Sequence, residues 1–367
     1  MGSYRFKGAS DAEIGKLLDE GEAALGVLFE DREYVLSESS QNFWLAQHIA
    51  SKICATQNVF EQQDEPVILK FDLLSIRQRL IDELAQRYLP TAVTFAKGKK
   101  WRPGGNKPYL DVLLALAKNP DLTVTYDKIL NLVPERRKPG VKAVRPRIAE
   151  VIHDPVHSID LRKQIAFSGH EFTIEDPLFR YFLSNLKEET VYQQLGVEKA
   201  SVERARSYTY DVGFSFAGEV RRIVELVNTE LKSEDVLTFY DFDQQAILLG
   251  EDLEALLGRV YSESCAYYLV FLDEHYVTKV WSKYEKDIMT HSGRTGHIIP
   301  VVLDEAGIKG LVGISSTIGR IDLREQWKEI AAGIPVTDAI LGPIRNRCVI
   351  PLLDKLSTQI GPSDTVS

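Results

Sequence analysis

A chain of 367 residues, 44% hydrophobic and 26% charged, has room for two domains with real cores and the composition of an ordinary globular protein. Its net charge of −9 argues against a surface built throughout for nucleic acid. Three widely spaced cysteines with no CxxC pair argue against a disulfide framework or a zinc site. The longest uninterrupted apolar run, residues 265–272, falls far short of the ~20 residues that span a bilayer. A polar, charged N-terminus predicts no secretory signal, and Phe6 in place of Ser or Thr breaks the myristoylation pattern. A cytoplasmic protein without a membrane partner is the expectation.

In chain order, residues 1–93 predict helices. Asp11 is placed to cap one that carries Ile14, Leu17 and Leu18. Phe43, Leu45, Ile49 and Ile53 form a second apolar stripe, and Leu73, Ile76, Leu80 and Leu84 a third. The stretch KGKKWRPGGNKP (97–108) reads as an exposed loop. A helix over 110–117, a Thr-rich stretch over 122–126 and a helix to Leu132 follow, and then a second basic loop punctuated by Pro134, Pro139 and Pro146. From Lys97 to Arg147 there are 13 Lys and Arg against 4 Asp and Glu, a basic island in an acidic chain. Trp101 sits among Lys97, Lys99, Lys100 and Arg102, with Arg136, Arg137 and Lys138 further on. Cations around an aromatic can hold nucleic acid or a nucleotide signal by phosphate contacts and stacking. A solvated loop, or a surface meeting an acidic partner protein, is the plainer reading of the same residues.

The segment KQIAFSGHEFTIEDPLFRYFL (163–183) predicts a two-stranded wing, with Phe172 and Ile174 alternating, and then a helix opened by Asp176-Pro177. Its FTIEDPLFRYFL portion loosely resembles the helical lid and winged-helix regions behind the nucleotide-binding core of AAA-type ATPases. No GxxxxGK[ST] occurs anywhere, which argues against an ATPase. Residues 188–207 are polar, end in EKASVERARS and read as a linker or connecting helix.

Beyond that point strands and helices alternate. YTYDVGFSFAGE (208–219) predicts a buried strand and a small-residue turn, followed by a helix through Val220, Ile223, Val224, Val227 and Leu231. Further strands are expected at 236–243, 265–276, 297–305 and 319–325, with helices at 253–260 and 281–291 between them. Such alternation implies a parallel sheet covered on both faces, with ligands bound at the carboxyl ends of its strands. The loops after Phe216, Asp243 and Glu274 therefore frame the expected site.

YDVGFSFAGE in the first strand, LLGEDL in the loop after the second and WSKYE opening the third helix, in this order, resemble a bacterial TIR (Toll/interleukin-1 receptor) domain over about residues 207–330. The resemblance implies an α/β, flavodoxin-like TIR domain with a five-stranded parallel sheet. A mainly helical, winged-helix-like regulatory domain (1–190) and a linker (191–206) would precede it, and a helical extension and tail (331–367) would follow. TIR domains divide into adaptors that act by protein–protein assembly and enzymes that cleave NAD. In the enzymes a Glu four residues after a Trp is essential, and Trp281-x-x-x-Glu285 fits. By this resemblance Glu285 is the catalytic carboxylate, with Trp281 walling the pocket; the turn after the first strand, Phe216-Ala217-Gly218, offers small residues and backbone N–H groups near a helix start for a phosphate or ribose edge, and Asp243 is the further expected substrate contact. NAD is the substrate, with no further cofactor and no metal. The resemblance also implies activation by self-association, with the loop 243–251 touching a neighbouring copy, and a sensor role for the N-terminal half in antiphage defence. One departure stands out: the first turn reads Phe216-Ala217-Gly218 where many enzymatic TIR domains carry a basic residue or His, so Arg221 or Arg222 would have to meet the phosphates.

The chemistry suits a single carboxylate. Nicotinamide leaves as a neutral base without needing a proton, so the enzyme's main task is to stabilise oxocarbenium-like charge on the ribose. On a helix, positions 281 and 285 share one face. Judged without the resemblance, a Trp opening a helix packs, and a Glu four positions on is solvated or paired with Lys283 or Lys286. Asp243 and Glu251 are loop carboxylates, commonly solvated. His275, His291 and His297 do not have metal-ligand spacing, and Ser215 has no His/Asp pattern for nucleophilic chemistry. A non-enzymatic TIR scaffold, and a regulator whose winged-helix-like half binds DNA, are the competing readings.

Overall fold

A computed structural model describes residues 9–155, 160–240, 264–280, 297–310 and 319–358. The chain divides into two compact units. The first comprises Met1–Thr94, Leu116–Tyr126 and Ile152–Lys187; the second comprises Phe95–Ala115, Asp127–Val151 and Glu188–Ser367.

In the first unit the helical stripes form as the spacing predicts. The helix Asp11–Leu25 buries Ile14 and Leu18, and Phe43–Thr56 buries Leu45, Ile49 and Ile53. The long helix Leu73–Lys97 buries Ile76, Leu80 and Leu84 along its inner face. The first cap is Ser10 rather than Asp11: the Ser10 hydroxyl accepts from the Glu13 N–H, and the Glu13 carboxylate accepts from the Ser10 N–H at 2.8 Å. Asp11 is the first helical residue, where its charge favours the amino-terminal dipole. Two short strands, β1 (Val27–Phe29) and β2 (Val67–Leu69), pair in parallel, a contact between distant segments that local patterning does not announce. The remaining strands of this unit are β3 (Thr123–Thr125), β4 (Ile165–Phe167) and β5 (Glu171–Ile174), arranged β3-β5-β4 and antiparallel. The β4–β5 hairpin turns at Gly169, whose φ of +91° favours glycine. The helix Pro177–Ser184 follows, capped by Asp176, whose carboxylate also accepts from the Tyr88 hydroxyl at 2.5 Å.

The second unit is built on a five-stranded parallel sheet. Its strands are β6 (Tyr210–Ser215), β7 (Thr238–Phe239), β8 (Cys265–Leu272), β9 (Ile298–Val302) and β10 (Ile321–Asp322), in the order β10-β9-β8-β6-β7. The first strand of this sheet thus lies inside it, with the second on one side and the third on the other, which is the flavodoxin-like order. Every residue of β6 is buried. The helix Arg221–Ser233 lays Ile223, Val224, Val227 and Leu231 into a core with Val212, Phe214, Leu269, Phe271 and Val301. Ile340, Ile344, Cys348, Leu352 and Leu356 join the same core, so the C-terminal helices Asp338–Ile344 and Ile350–Ser357 belong to this body. Residues 188–206 form the helices Glu188–Leu195 and Lys199–Ala205, which bury Val191, Tyr192, Val202 and Ala205.

The sequence predicts an exposed loop at 97–108; the structure draws the second half of it inward. Lys107 is 1% exposed, its ammonium donating to the carbonyls of Arg102 (2.6 Å), Pro103 (2.8 Å) and Gly105. It also lies 4.8 Å from the centre of the Trp101 ring. A buried cation is tolerable only with such partners. The rest of the basic island is largely spent within the chain as well. Lys100 and Arg102 bind Glu234, Arg147 binds Asp235, and Arg137 meets the buried Asp111 at 2.9 Å, where Arg206 joins it at 2.5 Å.

Candidate functional site

In a sheet of this order the crevice opens where the connections diverge, between the carboxyl ends of β6 and β8. From β6 the chain runs through Phe216, Ala217 and Gly218 into a short 3₁₀ turn (Gly218–Val220) and the helix Arg221–Ser233. Ala217 is buried, Phe216 partly so and Gly218 exposed. Among the described residues, none lies within 4 Å of a Cβ added at Gly218.

Phe216 stacks on Tyr240, the residue that follows β7, with ring centres 5.8 Å apart and planes 15° from parallel. The Arg221 guanidinium lies 5.2 Å from the Phe216 ring centre and 5.8 Å from that of Tyr240, and donates to the Tyr240 hydroxyl at 3.2 Å. A cation over aromatic faces is attracted by the ring quadrupoles, so Arg221 ties the first turn, its helix and the end of β7 into one rim.

Across the crevice, β8 ends at Leu272 and the chain turns about Asp273. This carboxylate is 2% exposed and accepts from the Tyr276 N–H at 2.9 Å. Burial pushes its pKa up, opposed by the backbone N–H groups of Tyr276 and His275. Beside it, Asp304 after β9 accepts from the N–H groups of Glu274 (2.8 Å) and Gly307 (2.7 Å), fixing the neighbouring turn. On the floor, the Ser215 and Tyr276 hydroxyls share a buried hydrogen bond of 2.6 Å. At the mouth, His275 comes within 4.0 Å of Glu219. The turn after the first strand and the turn after the third are thus joined both above and below.

Of the residues picked from the sequence, Phe216, Ala217 and Gly218 lie at this crevice. Asp243, Glu251, Trp281 and Glu285 lie outside the described residues, as do the helices expected at 253–260 and 281–291. Ser215, weighed as a nucleophile, is instead bonded to Tyr276. His297 is buried, its Nδ1 2.7 Å from the Ala266 carbonyl. Tyr240, Asp273 and Tyr276 carried no motif. Each sits one to four residues past a strand, and position at a carboxyl end was the only available signal.

With this geometry in place, the comparisons with known proteins are specific for one part of the chain. A family model for the TIR domain matches residues 212–334, and that stretch is a TIR domain. Over 127 residues the chain is 35% identical to the 3′ cyclic ADP-D-ribose synthase AaTIR of Aquimarina amphilecti. The aligned stretch covers 34% of this chain and 38% of that relative, well under half of each. No solved structure matches the chain. Among the described residues no helix is long and apolar enough to cross a membrane.

Proposed function

We propose that this protein cleaves NAD at the bond between nicotinamide and ribose, with Glu285 as the carboxylate that stabilises the charge developing on the sugar. The observation that carries this reading is the 35% identity over 127 residues with a 3′ cyclic ADP-D-ribose synthase, beside the TIR family match over 212–334, within which Trp281-x-x-x-Glu285 falls. Cyclic ADP-ribose is the ADP-ribose part of NAD closed on itself, so a synthase and a hydrolase share the first step, departure of nicotinamide. They differ in what attacks the oxocarbenium-like carbon next: water in one case, a group of the same molecule in the other.

The switch-point crevice suits a dinucleotide. Phe216 and Tyr240 offer aromatic surface, Arg221 offers a cation beside it, and Gly218, with no side chain of its own, lets a ligand approach the backbone. Glu285 would act electrostatically and by accepting hydrogen bonds from ribose hydroxyls. Asp243 and Trp281 complete the proposed substrate contacts. Assembly of TIR domains switches the site on, and the N-terminal unit is the sensor, in an antiphage setting, that permits assembly.

The test is to incubate concentrated protein with NAD and separate the products by chromatography. Nicotinamide appearing in step with ADP-ribose or a cyclised isomer supports the reading, and the ratio of the two sugars assigns hydrolase or synthase. NAD left intact at every protein concentration and under crowding removes it and leaves a TIR scaffold.

A further inference from the structure

The first unit holds a cleft of about 1330 Å³, and the described residues along it all belong to that unit. Small-molecule sites run to roughly 300–1,000 Å³, so there is room for a mononucleotide. One wall is the amino end of the helix Phe43–Thr56, where Asn42, Phe43 and Trp44 line the space. Asn42 accepts from the Leu45 N–H at 2.9 Å, whereas the N–H groups of Phe43 and Trp44 lie in the first turn and have no acceptor inside the helix. That turn carries no acidic residue, so it does nothing to neutralise the positive end of the helix dipole.

A second wall brings in Arg180, 5% exposed, from the helix Pro177–Ser184. Its guanidinium donates to the carbonyls of Leu116 (2.6 Å) and Ala117 (3.2 Å) and to the Ser184 hydroxyl (3.2 Å). Its Nε has no hydrogen-bond partner among the described residues, and none of their carboxylates forms an ion pair with it. Carbonyls satisfy donors but leave the charge without an anion, and a buried charge in that state is costly. Arg77 adds a second guanidinium, paired with Glu38 at 3.2 Å and donating to the Asn185 side chain at 3.0 Å. The acids along the cleft are already engaged. Glu38 also accepts from the Tyr181 hydroxyl, and Glu13 accepts from the Ser10 N–H (2.8 Å) and hydroxyl (2.7 Å). Trp44 is 52% exposed and backed by His48, with ring centres 5.3 Å apart and planes 21° from parallel. An exposed ring beside cations suits a stacked base that carries a phosphate.

We infer that this cleft is a nucleotide-binding site: the base stacks on Trp44, and the phosphate is held by the amino end of Phe43–Thr56 together with Arg77 and Arg180. Phosphate at the amino end of a helix is a recurring arrangement, and here a buried, anion-free arginine lines the same space. The claim goes beyond the cleavage of NAD and gives the unit proposed as the sensor a chemical class of signal.

The experiment is calorimetric titration of the 367-residue chain with the ribonucleoside monophosphates, their parent nucleosides and inorganic phosphate. At least one monophosphate should bind about tenfold or more tightly than its nucleoside and than phosphate alone, because ring and cations each contribute. Trp44→Ala and Arg77→Gln, both at exposed positions, should each weaken that binding about tenfold with thermal melts unchanged. Phe216→Ala, in the TIR crevice, should leave it as it is. No binding of any monophosphate at millimolar concentration would overturn the inference. So would wild-type affinity in Trp44→Ala or Arg77→Gln, or phosphate alone binding as well as the nucleotides. Loss in Phe216→Ala alone would put the ligand in the TIR crevice and overturn it too. NAD turnover is not the readout, so failure of the enzymatic reading and failure of this one are told apart.

Discussion

The Asn106 backbone N–H donates to the buried Asp211 carboxylate at 2.6 Å, stitching the loop before the helix Pro108–Lys118 to the first strand of the parallel sheet. The other oxygen of Asp211 accepts from the Leu237 N–H at 2.8 Å, just before β7. One side chain, 4% exposed, therefore serves a strand, its neighbour and a distant loop. Burial pushes its pKa up while the two N–H donors and Lys107 hold it down. Replacing it leaves two partly buried donors without this acceptor at once. Asp211→Ala should cost about 3 kcal/mol, read as a lowered urea midpoint. A loss below about 0.5 kcal/mol, the level of an ordinary surface substitution, would show that the stitch carries little stability.

A second tie is sensitive to acid. Glu234 binds Lys100 and Arg345, with Arg102 beside them, and these cations hold its pKa below the ordinary value of 4.5. A folded-state pKa below the unfolded one means that the unfolded chain binds more protons in that window. The stabilisation is therefore present above about pH 4.5 and is lost as pH falls through the lower folded value. Glu234→Gln should be less stable than wild type by about 1 kcal/mol at neutral pH, and the two should converge in acid. Thermal melts of both proteins between neutral and strongly acidic pH make the comparison, and a gap that widens on acidification would contradict the assignment.

Gly213 in β6 faces a crowded neighbour. A Cβ there would lie 2.8 Å from Cε1 of Tyr268 and 2.9 Å from Sγ of Cys265, closer than real contacts allow. Gly213→Ala should destabilise by about 1–3 kcal/mol through overpacking. Unfolding equilibria test this, and a neutral outcome would mean that the Tyr268 ring swings aside at no cost.

At the rim, Phe216 carries the stack with Tyr240 and the contact with Arg221. If this surface receives the dinucleotide, Phe216→Ala should raise KM for NAD about tenfold, equivalent to roughly 1.4 kcal/mol of lost binding. Steady-state kinetics at saturating and limiting NAD separate that from a loss of kcat. An unchanged KM would take Phe216 out of the substrate contacts.

The sheet was legible because its signal is local and repeated. YDVGFS, CAYYLVFL and IIPVV are short, largely apolar runs of strand length, as strands buried on both faces require, and the helix after β6 shows its inner face at three-and-four spacing. The hairpin β4–β5 and the Asp176 cap were legible for the same reason. The loop around Lys107 was not, because a Lys in a Gly/Pro-rich stretch looks solvated. Nothing local says that three carbonyls will fold around it, or that Asp211, a hundred residues away, will accept the next N–H. Likewise, Ser215 and Tyr276 lie in different elements, and their meeting depends on β6 and β8 being neighbours in the sheet. At the candidate site, Phe216, Ala217 and Gly218 were found from strand position, whereas the role given to Glu285 came from a motif resemblance and no periodicity pointed to it.

The decisive measurement is nicotinamide release from NAD by the 367-residue chain and by its Glu285→Gln variant, which keeps size and hydrogen-bonding capacity but removes the charge. Steady release is expected from the wild type at high protein concentration, and a rate lower by about a hundredfold or more from the variant, as loss of a charge that stabilises the transition state requires. Equal rates in the two proteins would contradict it.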